Sequence, residues 1–229
     1  GRLHRPVLTV VIPLDGDVPD TGSGLEGVAD AVSLTASAPR EAGVAALAPT
    51  SDGVEPTIRS VLGQSLGDLE VLAVAGAPGA GGRVSPAVSA ARHLAEQDRR
   101  VRVMPEAGIA AAMRSARASV LTVLSPHEIV ADGSYEAMIS QLAASGSQAV
   151  IGAVRPPGSA DAPGGLPTRS RAQLVDVLDA VEEPLPGRIL ARTRLWRLVS
   201  PDDLSVEATT VRVLISAPAI DVLDRCVLV

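Results

Sequence analysis

Two adjacent residues, His127 and Glu128, offer the clearest potential for chemistry in the sequence. They follow the apolar run Val120–Leu124, within the segment Ser125–Glu128. An imidazole nitrogen next to carboxylate oxygens can hold a divalent cation of the Mn²⁺ type. Neighbouring side chains diverge from each other, however, so the pair is also compatible with an ordinary surface turn. Both interpretations stay open on the sequence alone.

A glycine-rich turn, Gly76–Gly82, occupies the place where a phosphate-binding loop would follow a strand. Glycines let backbone N–H groups approach an anion at a helix N-terminus. A Walker loop would require Lys and then Ser or Thr after its last glycine, but Arg83 and Val84 stand there, and the spacing G-x-G-x-x-G is not matched. The turn is therefore either an anion site or a bare flexible connection, and the second is favoured.

A basic segment, Arg188–Arg197, contains Trp196, the single tryptophan of the chain. Its arginines could face an anionic substrate. The simpler interpretation is an amphipathic strand and helix whose arginines lie on the solvated side. His4 and His93 have no partners at useful spacing, and a lone cysteine, Cys226, cannot form an internal disulfide.

Apolar runs and helical patterns alternate along the chain and must position these candidates. Predicted strands are Val7–Leu14, Glu70–Ala75, Val101–Met104, Val120–Leu124 and Ala149–Val154. The first predicted helix begins at the N-cap Thr57. The next three span Ser85–Gln97, Ile109–Ala118 and Asp132–Ser145. This alternation predicts a parallel sheet with right-handed crossovers, whose ligands bind at the carboxyl ends of the strands. The loops of interest are therefore 13–16, 75–82 and 125–128.

The length of 229 residues fits a single domain over residues 1–229. Residues 15–56 are rich in Gly, Pro, Ala, Ser and Asp, and this composition predicts a low-complexity, mobile insertion.

Composition excludes several classes of function. A net charge of −6 and the near absence of aromatic residues, 1% of the chain, argue against a nucleic-acid partner. The longest apolar runs are far shorter than the roughly 20 residues that span a bilayer, which predicts no membrane span. No signal-peptide pattern opens the sequence, so we expect a cytoplasmic location.

Several segments together resemble the family 2 glycosyltransferases of the GT-A fold, especially members that build cell-surface polymers of the teichoic acid kind. The resemblance covers most of the chain outside the insertion, and the second of its segments is quite specific. It rests on Val10–Pro13, Arg59–Val71, Arg99–Val103, Asp132–Met138 and Ala219–Leu223. It implies an α/β protein with a mostly parallel central sheet flanked by helices.

The resemblance also implies positions for nucleotide binding, and the sequence departs from the family there. Those positions are Pro13, Asp15, Ala75 and Gly76. The family has a tyrosine and an asparagine after the first proline, where this chain has Leu14 and Asp15. It has two aspartates that hold the nucleotide base where this chain has Ala75 and Gly76.

The metal and base positions depart in the same way. The family's Asp-x-Asp-Asp metal motif aligns with Ser125–Glu128, which leaves His127 and Glu128 as the candidate metal ligands. The family's Glu-Asp pair, which carries the base that deprotonates the acceptor hydroxyl, aligns with Glu207 and Ala208. Glu207 is therefore the remaining candidate catalytic carboxylate.

These losses favour a catalytically degenerate domain that acts as a binding or regulatory module in cell-surface glycopolymer biosynthesis. The alternative is an active inverting transferase that uses nucleotide-sugars through substituted ligands. No cofactor is expected in the first case, and Mn²⁺ or Mg²⁺ only in the second. Expected partners are a nucleotide-sugar and a protein partner or a further domain of a longer chain, which could bring the domain to the inner face of the membrane.

Overall fold

One mixed β-sheet forms the centre of the computed structural model, which describes residues 5–14, 51–76, 84–105, 108–154, 169–172, 189–199 and 206–228. In these ranges the strands are β1 (Leu8–Pro13), β2 (Leu69–Val74), β3 (Val101–Met104), β4 (Val120–Val123), β5 (Ala149–Val154), β6 (Arg169–Ala172), β7 (Ile189–Arg192) and β8 (Ile220–Leu228). The helices are α1 (Ser51–Leu62), α2 (Pro86–Gln97), α3 (Ile109–Ser115), α4 (Ser134–Ser145), α5 (Thr193–Val199) and α6 (Val206–Ser216).

The strands lie in the order β3-β2-β1-β4-β7-β5-β8-β6. Strands β1 to β4 pair in parallel, and β7 runs antiparallel between β4 and β5. β8 pairs in parallel with β5, and β6 runs antiparallel beside β8. The predicted α/β class with a mostly parallel sheet flanked by helices is thus confirmed.

Apolar side chains cover both faces of the sheet, as expected for parallel strands between two layers of helices. Alternate residues of one strand therefore enter opposite cores, and Val10 faces one core while Val11 faces the other. The first core lies under α1, α2 and α4, and the second under α3, α5 and α6. Since Phe is absent from the chain, aliphatic side chains fill nearly all of this space.

The structure corrects several predicted boundaries. Helix α1 begins at Ser51 rather than at the predicted N-cap Thr57, and it contains Pro56 at its sixth position, where the missing N–H removes one helical hydrogen bond. Residues 51–56 of the predicted insertion thus belong to α1, with Val54 buried in the first core. Residues 15–50 lie outside the described residues.

Three further elements differ from their predicted extent. The last strand continues to Leu228, well past the predicted segment Ala219–Leu223. The short strand β6 was not predicted, because its sequence, RSRA, carries no apolar run. Helix α3 ends at Ser115, three residues early.

In the ranges given above, every helix is too short or too polar to cross a bilayer.

Candidate functional site

The predicted site segments meet at one edge of the sheet, formed by the ends of β1, β2 and β4. We call it the carboxyl edge, and its residues are Pro13–Leu14, Ala75–Gly76 and Ser125–Glu128. Leu14 N donates to Val74 O at 2.8 Å, and Leu124 N donates to Val11 O at 2.9 Å. These bonds extend the strand pairing by one residue on each side of β1. The parallel register therefore brings three segments that are distant in sequence to one crevice rim.

The turn Ser125–Glu128 is closed by its own glutamate. Glu128 N donates to Ser125 O at 3.2 Å, and Ser125 N donates to Glu128 Oε2 at 2.6 Å. A carboxylate that accepts a bond from the backbone N–H three residues earlier closes the turn much as a side chain caps a helix end. One oxygen of the only carboxylate in this turn is therefore already engaged in holding the turn's shape.

Helix α1 lies against the same turn. Thr57 Oγ1 donates to Pro126 O at 2.9 Å, and Ser60 Oγ accepts a hydrogen bond from Val130 N at 3.1 Å. The exposed ring of His127 packs against Gly53, so closely that a Cβ at position 53 would lie 2.7 Å from its Cε1 atom. A side chain at position 53 would therefore have to displace the imidazole ring, which packs against the helix.

Tyr135 lies in the first core below the turn. Its hydroxyl is buried and has no hydrogen-bond partner among the described residues. Burial raises the pKa of the Tyr135 hydroxyl far above its usual range, and the negative charge of Glu128 adds to the effect. Tyr135 therefore stays neutral, and it presents an unused polar atom near the Glu128 carboxylate.

The sequence did not assign to this rim the polar residues that hold it. Thr57, predicted only as an N-cap, and Ser60 lie three residues apart on one face of α1. Gln64, two residues beyond the end of the helix, donates its side-chain amide to Ala131 O at 3.1 Å. The sequence signal that could have identified Thr57 and Ser60 is the occurrence of polar residues at helical spacing between the apolar positions of the helix.

The remaining predicted positions are less informative. Ala75 is buried and donates its N–H to Met104 O at 3.0 Å, whereas Gly76 is exposed. Asp15 and most of the glycine-rich turn, residues 77–83, lie outside the described residues. Glu207 is the second residue of α6, and the structure describes only its backbone. Their roles in nucleotide binding and catalysis stay predictions.

Among the described residues, the turn offers few ligands to a divalent metal, and the roles of His127 and Glu128 as metal ligands stay predictions. Hard cations such as Mg²⁺ and Mn²⁺ take about six ligands, mostly oxygens. Across the described ranges no group of three or more His, Cys, Asp or Glu side chains converges on one point. At the turn, one Glu128 oxygen binds Ser125 N and the His127 ring packs on Gly53.

Trp196 belongs to the second core rather than to a site. It is buried in α5, and its Nε1 donates to Leu121 O at 2.9 Å. The basic segment forms β7 and α5, as the simpler interpretation predicted. Three of its arginines, Arg192, Arg194 and Arg197, lie at the end of the sheet opposite the turn Ser125–Glu128. We call this opposite end the amino edge.

The same architecture occurs in solved glycosyltransferase structures. TarS 1–349 from S. aureus, a teichoic-acid glycosyltransferase of GT-A type, superposes with a TM-score of 0.63 at 11% identity, over 96% of this chain and 59% of that one. Its complexes with UDP-GlcNAc and with UDP each superpose with a TM-score of 0.62 at 11% identity, over 96% of this chain. They are covered over 57% and 59% of their own length, respectively. This chain thus spans less than two thirds of the TarS fragment.

No family model and no curated protein sequence matches the chain. At this identity the likeness defines the fold, and it confirms the GT-A architecture that the sequence motifs predicted.

Proposed function

We infer that this chain is a family 2 glycosyltransferase-like domain that serves cell-surface glycopolymer biosynthesis as a binding or regulatory module without turnover of its own. The GT-A fold shared with TarS supports the first part of this proposal. The side chains of the carboxyl edge support the second part. A fold alone does not specify a function, so the site must carry the argument.

The observation that carries the proposal is the turn Ser125–Glu128. A transferase of this fold must offset the diphosphate charge that develops on the leaving group, and a metal held by carboxylates normally does so. Here the turn has one carboxylate, and Ser125 N occupies one of its oxygens. The geometry favours a crevice rim whose backbone shape is that of the fold but which lacks the carboxylates that would hold a metal.

The absence of a catalytic base also supports a domain without turnover. The position that aligns with the base is Ala208, a half-buried residue of α6, which has no group that can accept a proton. General-base help contributes about 10² to 10⁴ in rate. Without this contribution and without a metal, little turnover would remain even if a donor bound.

The partners follow from this role. TarS has been solved with UDP-GlcNAc and with UDP, so a nucleotide-sugar is the small molecule most compatible with the fold. We expect weak binding, because Ala75 and Gly76 offer no carboxylate to a nucleotide base. The useful contacts would then be made with a protein partner or a further domain, which would hold this cytoplasmic domain at the inner face of the membrane.

Titration of UDP, CDP and GDP by calorimetry, each with and without Mn²⁺, tests the proposal. We expect binding too weak to measure, and no effect of the metal. Micromolar affinity for one nucleotide that depends on Mn²⁺ would contradict the proposal. It would favour the active inverting transferase with substituted ligands.

Two variants of the turn separate these outcomes. If the site is degenerate, Ser125→Asp with His127→Asp should raise Mn²⁺ affinity at least about tenfold, because a hard cation gains oxygen ligands. His127→Ala should leave nucleotide binding, Mn²⁺ binding and donor hydrolysis unchanged. Loss of a parental donor hydrolysis or metal signal in His127→Ala would instead assign the imidazole to a working site.

A further inference from the structure

An open pocket of about 700 Å³ lies at the amino edge, where β1 and β4 begin and β7 ends. Its eleven lining residues include five arginines and no acidic residue. The arginines are Arg5, Arg117, Arg192, Arg194 and Arg197. The pocket lies at the opposite end of the strands from the turn Ser125–Glu128, so it is separate from the site described above.

Backbone hydrogen bonds make the floor of this pocket rigid. Thr193 N donates to Ser119 O at 3.0 Å, and Thr193 Oγ1 donates to Ala118 O at 2.8 Å. On the other side of β7, Arg192 N donates to Gln148 O at 2.9 Å. The arginines therefore project from a preformed surface rather than from a loose loop.

Most of the arginines in the pocket have no carboxylate partner among the described residues. Arg117 forms an ion pair with Glu70 at 2.8 Å. Within the described parts of the chain, the other four arginines make no ion pair with a carboxylate. Arg194 donates to the Gln148 side chain, and Arg197 donates to the carbonyls of Met113 and Ala116, so neutral acceptors hold these two guanidinium groups in place.

The basic surface continues into a neighbouring pocket of about 310 Å³. The two pockets share Pro6 and Arg117, and the second adds Arg99 and Arg100. Seven of the 20 basic residues of an acidic chain thus gather at one edge. The second pocket also contains Asp68 and Glu70, and Arg100 pairs with Asp98 at 2.7 Å, so the excess of positive charge lies in the first pocket. This excess attracts anions in spite of the net charge of −6.

We propose that this amino-edge pocket binds an anion that carries several phosphate groups, as a free oligophosphate or as part of a phosphodiester chain that carries no bases. Guanidinium groups match phosphate oxygens in a bidentate fork, and several forks favour several phosphates. No aromatic side chain lines either pocket, so bases have no aromatic platform to stack on. This second feature selects against nucleic acid.

Calorimetric titration with tripolyphosphate tests the site. The test variant, Arg192→Gln with Arg194→Gln, removes two charges of the pocket. Its control, Arg92→Gln with Arg212→Gln, removes two exposed charges outside both pockets. We expect at least about a tenfold loss of affinity in the test variant, a factor that one hydrogen bond to a charged group can supply, and parental affinity in the control. An equal loss in both variants, or no binding by the parent protein, would overturn the proposal.

Further titrations distinguish the possible ligands, and one further variant tests the site if the double variant does not fold. Tighter binding of a glycerol-phosphate oligomer than of tripolyphosphate would identify the phosphodiester chain as the source, and the reverse would identify a free oligophosphate. Tighter binding of a single-stranded DNA with the same number of phosphates would refute the proposed chemistry. Arg5→Gln, which changes one exposed residue outside the strands, should reproduce a smaller loss if the double variant does not fold. Nucleoside diphosphates also carry two phosphates, so the nucleotide titrations are repeated on the Arg192→Gln, Arg194→Gln variant, in which this pocket is weakened and any remaining Mn²⁺-dependent binding reports on the carboxyl edge. Their outcome there leaves the tripolyphosphate result unaffected.

Discussion

Glu70 shows how much one buried carboxylate can organise at the residue scale. It is buried in β2, and it accepts hydrogen bonds from Thr9 Oγ1 at 2.7 Å, from Arg117 N at 2.7 Å and from Arg117 Nε at 2.8 Å. Burial raises the pKa of the Glu70 carboxyl, but the hydrogen bonds and the charge of Arg117 outweigh it, and the resulting pKa lies below the usual value. Glu70 thereby joins β2, β1 and the start of β4, and it fixes Arg117 at the amino edge.

Glu70→Gln should lower the free energy of unfolding by about 1–3 kcal/mol at neutral pH, because an amide leaves buried donors unpaired. A carboxylate whose pKa is lower in the folded state stabilises the protein above its unfolded pKa, near 4.5, and this stability is lost as the pH falls through the folded pKa. The difference between parent and variant should therefore shrink in acid. Urea titrations over a pH series measure it.

Glu96→Gln is the matched control, because Glu96 is exposed on α2 and contacts only the neighbouring His93. It should leave the free energy of unfolding nearly unchanged at every pH. A constant difference between the parent protein and Glu70→Gln down to low pH would show that the charge of Glu70 contributes no stability.

At the scale of elements, the fit of α1 against the turn Ser125–Glu128 determines the shape of the crevice rim. Val54, Ile58 and Val61 bury the apolar face of α1 in the first core. The adjoining polar face reaches the turn through Thr57 and Ser60. The same helix thus stabilises the core and holds the predicted metal motif in place, so a change in its packing should be felt at His127.

Gly53→Ala should destabilise the protein by about 1–3 kcal/mol, because the new methyl group would overlap the His127 ring. In a His127→Ala background the overlap disappears. Alanine is also the better helix former by about 1 kcal/mol, so the same change should become neutral or stabilising there. Thermal unfolding of the four proteins of this double-mutant cycle measures the coupling.

Gly67→Ala provides the control, since a Cβ at that position meets no atom within 4 Å. It should have little effect in either background. If Gly53→Ala costs the same with and without His127, then the helix does not pack on the imidazole ring in solution.

At the scale of the whole molecule, one continuous sheet joins both cores. Each core contains side chains from β1, β2 and β4, and the order β4-β7-β5-β8 continues the hydrogen bonding to the last strand. Trp196, the only tryptophan, is buried in the second core and bonded to β4. Its fluorescence therefore reports on the centre of the sheet.

Unfolding should be a single cooperative transition, because neither core can lose its packing while the shared strands stay paired. We expect the urea midpoint from Trp196 fluorescence to coincide with the midpoint from far-ultraviolet circular dichroism, which reports on all helices. Separate midpoints would reveal two units that unfold independently. The variant Trp196→Phe, followed by circular dichroism alone, controls for any effect specific to the probe.

The sequence by itself determined most of the strands, most of the helices and the lack of carboxylates at the carboxyl edge. Runs of β-branched residues such as Val7–Leu14 can be read locally, because a strand buried on both faces needs apolar side chains throughout. The absence of aspartate at Ala75 and Ser125 is likewise a fact of the sequence, and no packing can restore it. Strand ends such as Leu228 were less predictable, because Asp224 and Arg225 interrupt the apolar run, and tertiary pairing with β5 carries β8 across them.

Only the tertiary structure decided which distant residues became neighbours. The antiparallel insertion of β7 between β4 and β5 brings Arg192 and Arg194 beside Arg5 and Arg117, which no spacing in the chain foretells. The same holds for Gly53 against His127, and for Glu70 with Arg117. Local propensities set each element separately, whereas strand order and helix placement follow from burying all the apolar surfaces at once. The basic pocket and the closed turn are products of that second, global requirement.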